Sequence, residues 1–284
     1  MIRSRKVAVV DFRLSLGWVV SFAVLLVVFF WPTFLWMAER FDASDSFYSH
    51  GWLVPAASGW LIWQRRKPLA QIPWAPTFQG LWLFVPSLLM AGVSTWLQIG
   101  FVSGFAMLGT IAGLIWTSGG AALLKALRFP LFFLVFMVPL PGIFLIHVSF
   151  QMKLMAAQMA TLLVNGIGIP ATQAGSSISI QGTQIMVDDT CSGLRSLISL
   201  LALATFWTAL MPATARAVQR AVIVAASVPI ALLGNMARIF FLILLSTIYG
   251  HKAAEGFLHY GSGFVVFGVA VLALTAITRV VQRW

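Results

Sequence analysis

The sequence predicts an all-α polytopic membrane protein, and three observations carry that prediction. Of the 284 residues, 60% are hydrophobic and only 9% are charged, whereas a soluble globular chain carries about 25% charged residues. Mean hydropathy is +0.95. Apolar stretches close to the ~20 residues needed to cross a bilayer recur along the whole length, with no internal repeat, low-complexity tract or soluble domain between them. One integral membrane domain over 1–284 is therefore expected. A net charge of +11 would suggest nucleic acid in a soluble protein. In this chain the charge instead bears on orientation, and no nucleic-acid partner is expected. The single cysteine excludes an internal disulfide and any multi-cysteine metal site, so neither a metal nor a cofactor is expected.

Eight candidate spans follow in order: 14–37, 51–64 (short), 78–97, 99–120, 129–149, 191–211, 218–248 and 257–278. The first follows Arg3, Arg5 and Lys6 as a signal peptide would. Its apolar run continues to Met37 without a small-residue cleavage site, so it reads as an uncleaved span. With the N-terminus inside, Arg3, Arg5, Lys6, Arg13, Arg65, Arg66, Lys67, Lys125, Arg128, Arg216, Arg220, Arg279 and Arg283 all fall on the cytoplasmic side. Of the acidic residues, only Asp11 joins them. That distribution obeys the positive-inside rule and predicts both termini in the cytoplasm of a cell whose inner membrane holds the chain.

The longest interruption, about 150–190, then lies outside. Gln151 to Val164 mixes Gln151, Lys153 and Gln158 with Met, Leu and Ala, which predicts a helix lying in the interface. Ser176 to Val187 alternates polar and apolar residues and predicts a small β-hairpin turning near Gly182. Both insertions sit between spans five and six.

Asp188-Asp189-Thr190-Cys191-Ser192-Gly193-Leu194-Arg195 opens the sixth span at its outer end. A lone cysteine in an apolar chain is usually a small buried hydrophobe. Cys191, however, stands at a helix start, where the macrodipole favours a thiolate. Thr190 or Asp189 is available as the cap. The two aspartates oppose the thiolate unless Arg195 or another cation pairs with them. Arg238 falls inside the seventh span, at a cost of about 2.5–3.5 kcal/mol on insertion scales, so it must face the bundle interior or a water-filled cavity. Its plain reading is a structural arginine; Asn235, three residues earlier, shares its helix face. His259 starts the eighth span, again outside, where an isolated histidine is commonly only an anchor. Three spans thus bring a cysteine, a guanidinium and an imidazole to one membrane depth. Acyl transfer needs these parts: a thiolate to attack, an imidazole to move protons and a cation for the oxyanion. Tyr48-Ser49-His50-Gly51 in the first outer loop reads either as an interface belt or as the mouth of the same cavity, with His50 a rival base.

Taken in order, Tyr48-Ser49-His50-Gly51 with Leu53-Val54-Pro55, Arg65-Arg66-Lys67, Pro139-Leu140-Pro141, Cys191-Ser192-Gly193-Leu194-Arg195, Asn235 with Arg238, and His259 with Gly261 resemble the exosortase/archaeosortase family. The resemblance covers about 42–265. It implies a membrane cysteine transpeptidase. Such an enzyme cleaves exported substrate proteins at a C-terminal signal of short motif (Pro-Glu-Pro type), transmembrane helix and basic tail, and passes them to a polysaccharide or lipid acceptor at the surface. It also implies Cys191 as nucleophile, Arg238 as the essential arginine and His259 as the histidine of the bacterial branch. Arg195, Asn235, His50, Tyr48, Asp189 and Ser192 are then supporting residues. Two rivals remain open. One is an envelope glycolipid or polysaccharide transporter or flippase, in which Arg238 binds an anion in transit. The other is a serine intramembrane protease using Ser192 or Ser262; neither serine lies in a convincing motif, and both rivals leave Cys191 dispensable.

Overall fold

The computed structural model describes residues 21, 24–43, 46–180, 183–186, 192–212, 214–249 and 257–283, with side chains described for these except 183–186, 246–249 and 257–260. The described chain is a helical bundle with one small sheet. Its helices are α1 (Trp31–Asp42), α2 (Leu53–Gln64), α3 (Arg66–Ala70), α4 (Leu81–Trp96), α5 (Gly100–Phe133), α6 (Gly142–Gly166), α7 (Leu194–Leu210), α8 (Ala217–Tyr249) and α9 (Phe257–Val281). Five helical stretches are long and apolar enough to cross a membrane: Phe78–Trp96, Gly100–Met137, Gly142–Gly166, Ala217–Leu245 and Gly261–Val281; Leu194–Leu210 is a shorter apolar helix. The outside of the bundle is as apolar as its inside. Phe78, Trp82, Ile143 and Phe264 are each more than 80% exposed, which water would not tolerate over so many sites and a lipid surround does. Trp82 and Trp96 stand exposed near the two ends of α4, about 21 Å apart along the helix, as interfacial tryptophans do.

Between apolar helices, hydroxyl pairs supply the directional contacts. Thr33 and Ser103 share a 2.6 Å hydrogen bond across α1 and α5, Thr95 reaches the same Ser103 at 3.2 Å, and Ser58 donates to the Pro130 carbonyl at 2.9 Å. Helix α5 has 34 residues, about 51 Å if straight and too long for a bilayer. It bends at Gly120, whose φ of 84° and ψ of 174° lie outside what a side chain tolerates. A Cβ there would also fall 2.5 Å from the Ala75 carbonyl oxygen.

Two expected boundaries are corrected. The segments expected at 99–120 and 129–149 are two helical halves that break at Gly120 and fold back on each other, Gly104 meeting Val138, but the second ends at Met137 rather than 149. The expected interface helix at 151–164 is part of α6, which begins at Gly142 and runs unbroken for 25 residues. Pro139 and Pro141 explain both shifts. Each lacks an N–H and disfavours a helical residue before it, so the helix stops at the first and restarts behind the second.

The sheet has three strands rather than a hairpin alone, β1 (Ala171–Ala174), β2 (Ser177–Ile180) and β3 (Thr183–Met186), antiparallel in the order β1-β2-β3. The expected hairpin is β2–β3. The extra strand is fastened to the end of α6 by the Asn165 amide, which donates to the Ala171 carbonyl at 3.0 Å and accepts its N–H at 2.8 Å. Ile178 and Ile180 then pack with Ala156, Ala160 and Val164 of α6 and with Ile239 and Ile243 of α8. The sheet therefore braces the part of α8 that follows Arg238.

Candidate functional site

Helix α7 begins at Gly193, which caps it in the left-handed conformation at φ 78°. The glycine is required twice over: a Cβ would fall 2.5 Å from Asn235 Cγ and 2.9 Å from its Nδ2. The start of α7 thus lies backbone-to-side-chain against α8. Ser192 is fully buried beside it and its hydroxyl accepts the Leu194 N–H at 3.3 Å. Asn235 is also buried, at 4% exposure. The motif pairs that stand apart in the sequence, Ser192-Gly193-Leu194 and Asn235 with Arg238, are brought together.

One helical turn beyond Asn235, the Arg238 Nε donates to the Ser262 hydroxyl of α9 at 3.1 Å, and the guanidinium lies alongside Gly263. Ser262, a rival nucleophile on the sequence alone, is the acceptor of that bond. His259 stands three residues, one turn, ahead of it on the same helix; its side chain lies outside the described residues. Cys191 and Asp189 lie outside them as well, Cys191 being two residues along the chain from Gly193.

Arg238 and Ser262 sit in a groove of about 790 Å³ between α8 and α9. Its other walls are aliphatic or small, among them Gly234, Ala237, Val269 and Ala273. These positions recur every three or four residues on both helices, so the groove follows one face of each for about 18 Å.

The first loop arrives from the other flank of α7. The Tyr48 ring is 4% exposed, its hydroxyl accepts the Leu140 N–H at 3.2 Å, and it stacks on His50 with centroids 5.8 Å apart. Burial raises the Tyr48 pKa against a smaller downward pull from the Leu140 N–H, so it stays a neutral phenol. His50 lies in the 3₁₀ turn Ser49–Trp52 ahead of α2, and its Nδ1 shares a 3.2 Å hydrogen bond with Ser199 of α7. Burial pushes its pKa down to about 4, against a weaker upward pull from the Phe136 carbonyl. The Nε2 atom is buried without a hydrogen-bond partner of good geometry among the described residues. A base so far below neutral pH accepts protons weakly. His50 thus ties the first loop to α7 through Ser199.

Arg195 is exposed on the first turn of α7. Ser199, Ser262 as a partner of Arg238, and the contact of Gly193 with Asn235 do not stand out in the sequence. The only hints are spacings, Ser199 four residues after Arg195 and Ser262 three after His259. Among the described residues no three of His, Cys, Asp and Glu come together.

These features define a polytopic helical membrane protein that gathers buried and half-buried polar side chains from α8, α9 and the start of α7. A model of the transmembrane exosortases matches residues 36–276, and the chain belongs to that family. No curated protein and no solved structure matches it.

Proposed function

We propose that the chain is a cysteine transpeptidase that removes the C-terminal sorting signal of exported proteins. The observation that carries this reading is the contact of the Cys191-Ser192-Gly193 segment's Gly193 with Asn235, one turn from an Arg238 whose fork is held by Ser262. The Cys191 thiolate attacks the scissile carbonyl, and the Arg238 guanidinium stabilises the resulting oxyanion. His259 gives a proton to the departing amine as the C–N bond breaks, leaving a thioester on Cys191. A hydroxyl or amine of a surface polysaccharide or lipid then attacks the thioester, passing its proton to the now neutral His259, forming the new ester or amide and regenerating the thiolate. Asn235 and Gly193 position the nucleophile's segment.

The groove between α8 and α9 supports lateral docking of the substrate's helix. At about 790 Å³ over about 18 Å of length, its section is about half that of a helix with its side chains. Such a groove takes one face of a helix as ridge into groove, and its small residues allow close approach. Charge supports an orientation with the site outside. Arg65, Lys125, Arg128 and Arg220 share a pocket, and Arg220 is 18 residues from Arg238 on α8, about 27 Å away. That end belongs in the cytoplasm.

The test is processing in membranes. Cys191→Ala leaves the chain inserted and stable while a tagged substrate retains its C-terminal segment. Normal processing in Cys191→Ala removes the transpeptidase reading and favours the transporter, for which the cysteine is dispensable.

A further inference from the structure

At the end of the bundle remote from Arg238, four cations from three helices converge on one pocket of about 400 Å³: Arg65 at the end of α2, Lys125 and Arg128 of α5, and Arg220 of α8. The break at Gly120 makes this possible, because the second half of α5 folds back along the first, Gly104 meeting Val138, and leaves Lys125 and Arg128 near the turn. Among the described residues the only carboxylates are Glu39 and Asp42, both on α1. Asp42 accepts the Trp52 indole N–H beside the His50 turn, and so belongs to the opposite end. No described carboxylate neutralises the four charges. Arg220 adds a second, independent sign. Its terminal nitrogen donates to the Pro212 carbonyl at 3.2 Å, but its Nε is buried with no partner among the described residues, which is costly for a charged group.

Positive charge on a cytoplasmic face follows from topology alone, but topology does not require it to be focused. Arg66, next to Arg65, shows the ordinary arrangement, its guanidinium 4.2 Å over the Trp63 ring and bonded to the Trp63 carbonyl. The pocket cations converge instead around walls of Ala122, Phe129 and Ala209. The occupant that meets both an unpaired buried N–H and apolar walls at a membrane surface carries a phosphate on a hydrocarbon body. We propose that this pocket binds a phosphate, that of an acidic phospholipid headgroup, at the end of the bundle opposite the Arg238 site.

The experiment titrates the purified full chain, in neutral detergent micelles, with cardiolipin, with phosphatidylcholine and with inorganic pyrophosphate, reading Tm and apparent Kd. Cardiolipin raises Tm where phosphatidylcholine does not. The pair Lys125→Gln/Arg128→Gln replaces two exposed side chains and weakens that response roughly thirtyfold. The pair Arg66→Gln/Lys67→Gln removes the same charge beside the pocket and leaves the response intact. Pyrophosphate without effect upholds the lipid headgroup as occupant; pyrophosphate that displaces cardiolipin reassigns the pocket to a soluble phosphate and overturns the headgroup claim. Equal responses to cardiolipin and phosphatidylcholine, or equal losses in the two paired variants, overturn it.

Discussion

Gly193 meets two demands that no other residue satisfies together, a φ of 78° and a backbone lying against Asn235. Left-handed backbone costs a non-glycine residue about 1–2 kcal/mol. The clash with a buried asparagine adds to that, and the helix starts must move apart. Gly193→Ala is expected to lower Tm and to slow substrate processing about a hundredfold, the usual consequence of an ångström-scale misplacement. Processing at the normal rate would show that the contact does not position the nucleophile. The sequence places Asn235 and Arg238 on one helix face, because spacing alone determines that. It does not place Gly193 against Asn235, or Ser262 on Arg238, since both depend on how α7 and α9 approach α8. His50 carries the same lesson. Its sequence context leaves it a rival base, and its burial and its bond to Ser199 of α7 are visible only in the fold.

At the scale of elements, periodicity is legible where residues are β-branched and illegible where they are not. Ser177-Ile178-Ser179-Ile180 alternates and reads as a strand. Ala171-Thr172-Gln173-Ala174 has no such pattern, and β1 exists because Asn165 fastens it to α6. Helix ends are legible where proline marks them. Hydropathy runs straight through Pro139-Leu140-Pro141, but the prolines themselves announce a break there, and one helix ends and another starts around them. The groove between α8 and α9 is not legible at all, being a relation between two helices. Ala273, about 16 Å along α9 from Ser262, offers a way to fill it far from the chemistry. Ala273→Trp is expected to raise KM about tenfold for a substrate bearing its helix, with kcat little changed. A soluble peptide holding only the cleavage motif should be turned over as before. Equal effects on both substrates would place the helix elsewhere.

For the whole molecule, composition alone is enough for the class, because a chain with 9% charged residues cannot cover a soluble surface. The basic collar that reads in the sequence as an orientation signal becomes, in three dimensions, a focused pocket about 27 Å along α8 from the arginine of the candidate site. Under the two proposals the ends divide the work of the protein: one meets phosphate at the cytoplasmic face, the other performs the transfer outside. The central claim is that transfer passes through Cys191. Its most direct measurement is the intact mass of the full chain mixed with a substrate carrying the C-terminal signal, with the acceptor withheld. The account predicts an adduct on Cys191 equal to the substrate without its released C-terminal segment, cleaved by hydroxylamine and absent in Cys191→Ala. Released C-terminal segment with no adduct on Cys191, formed equally well by Cys191→Ala, would contradict it.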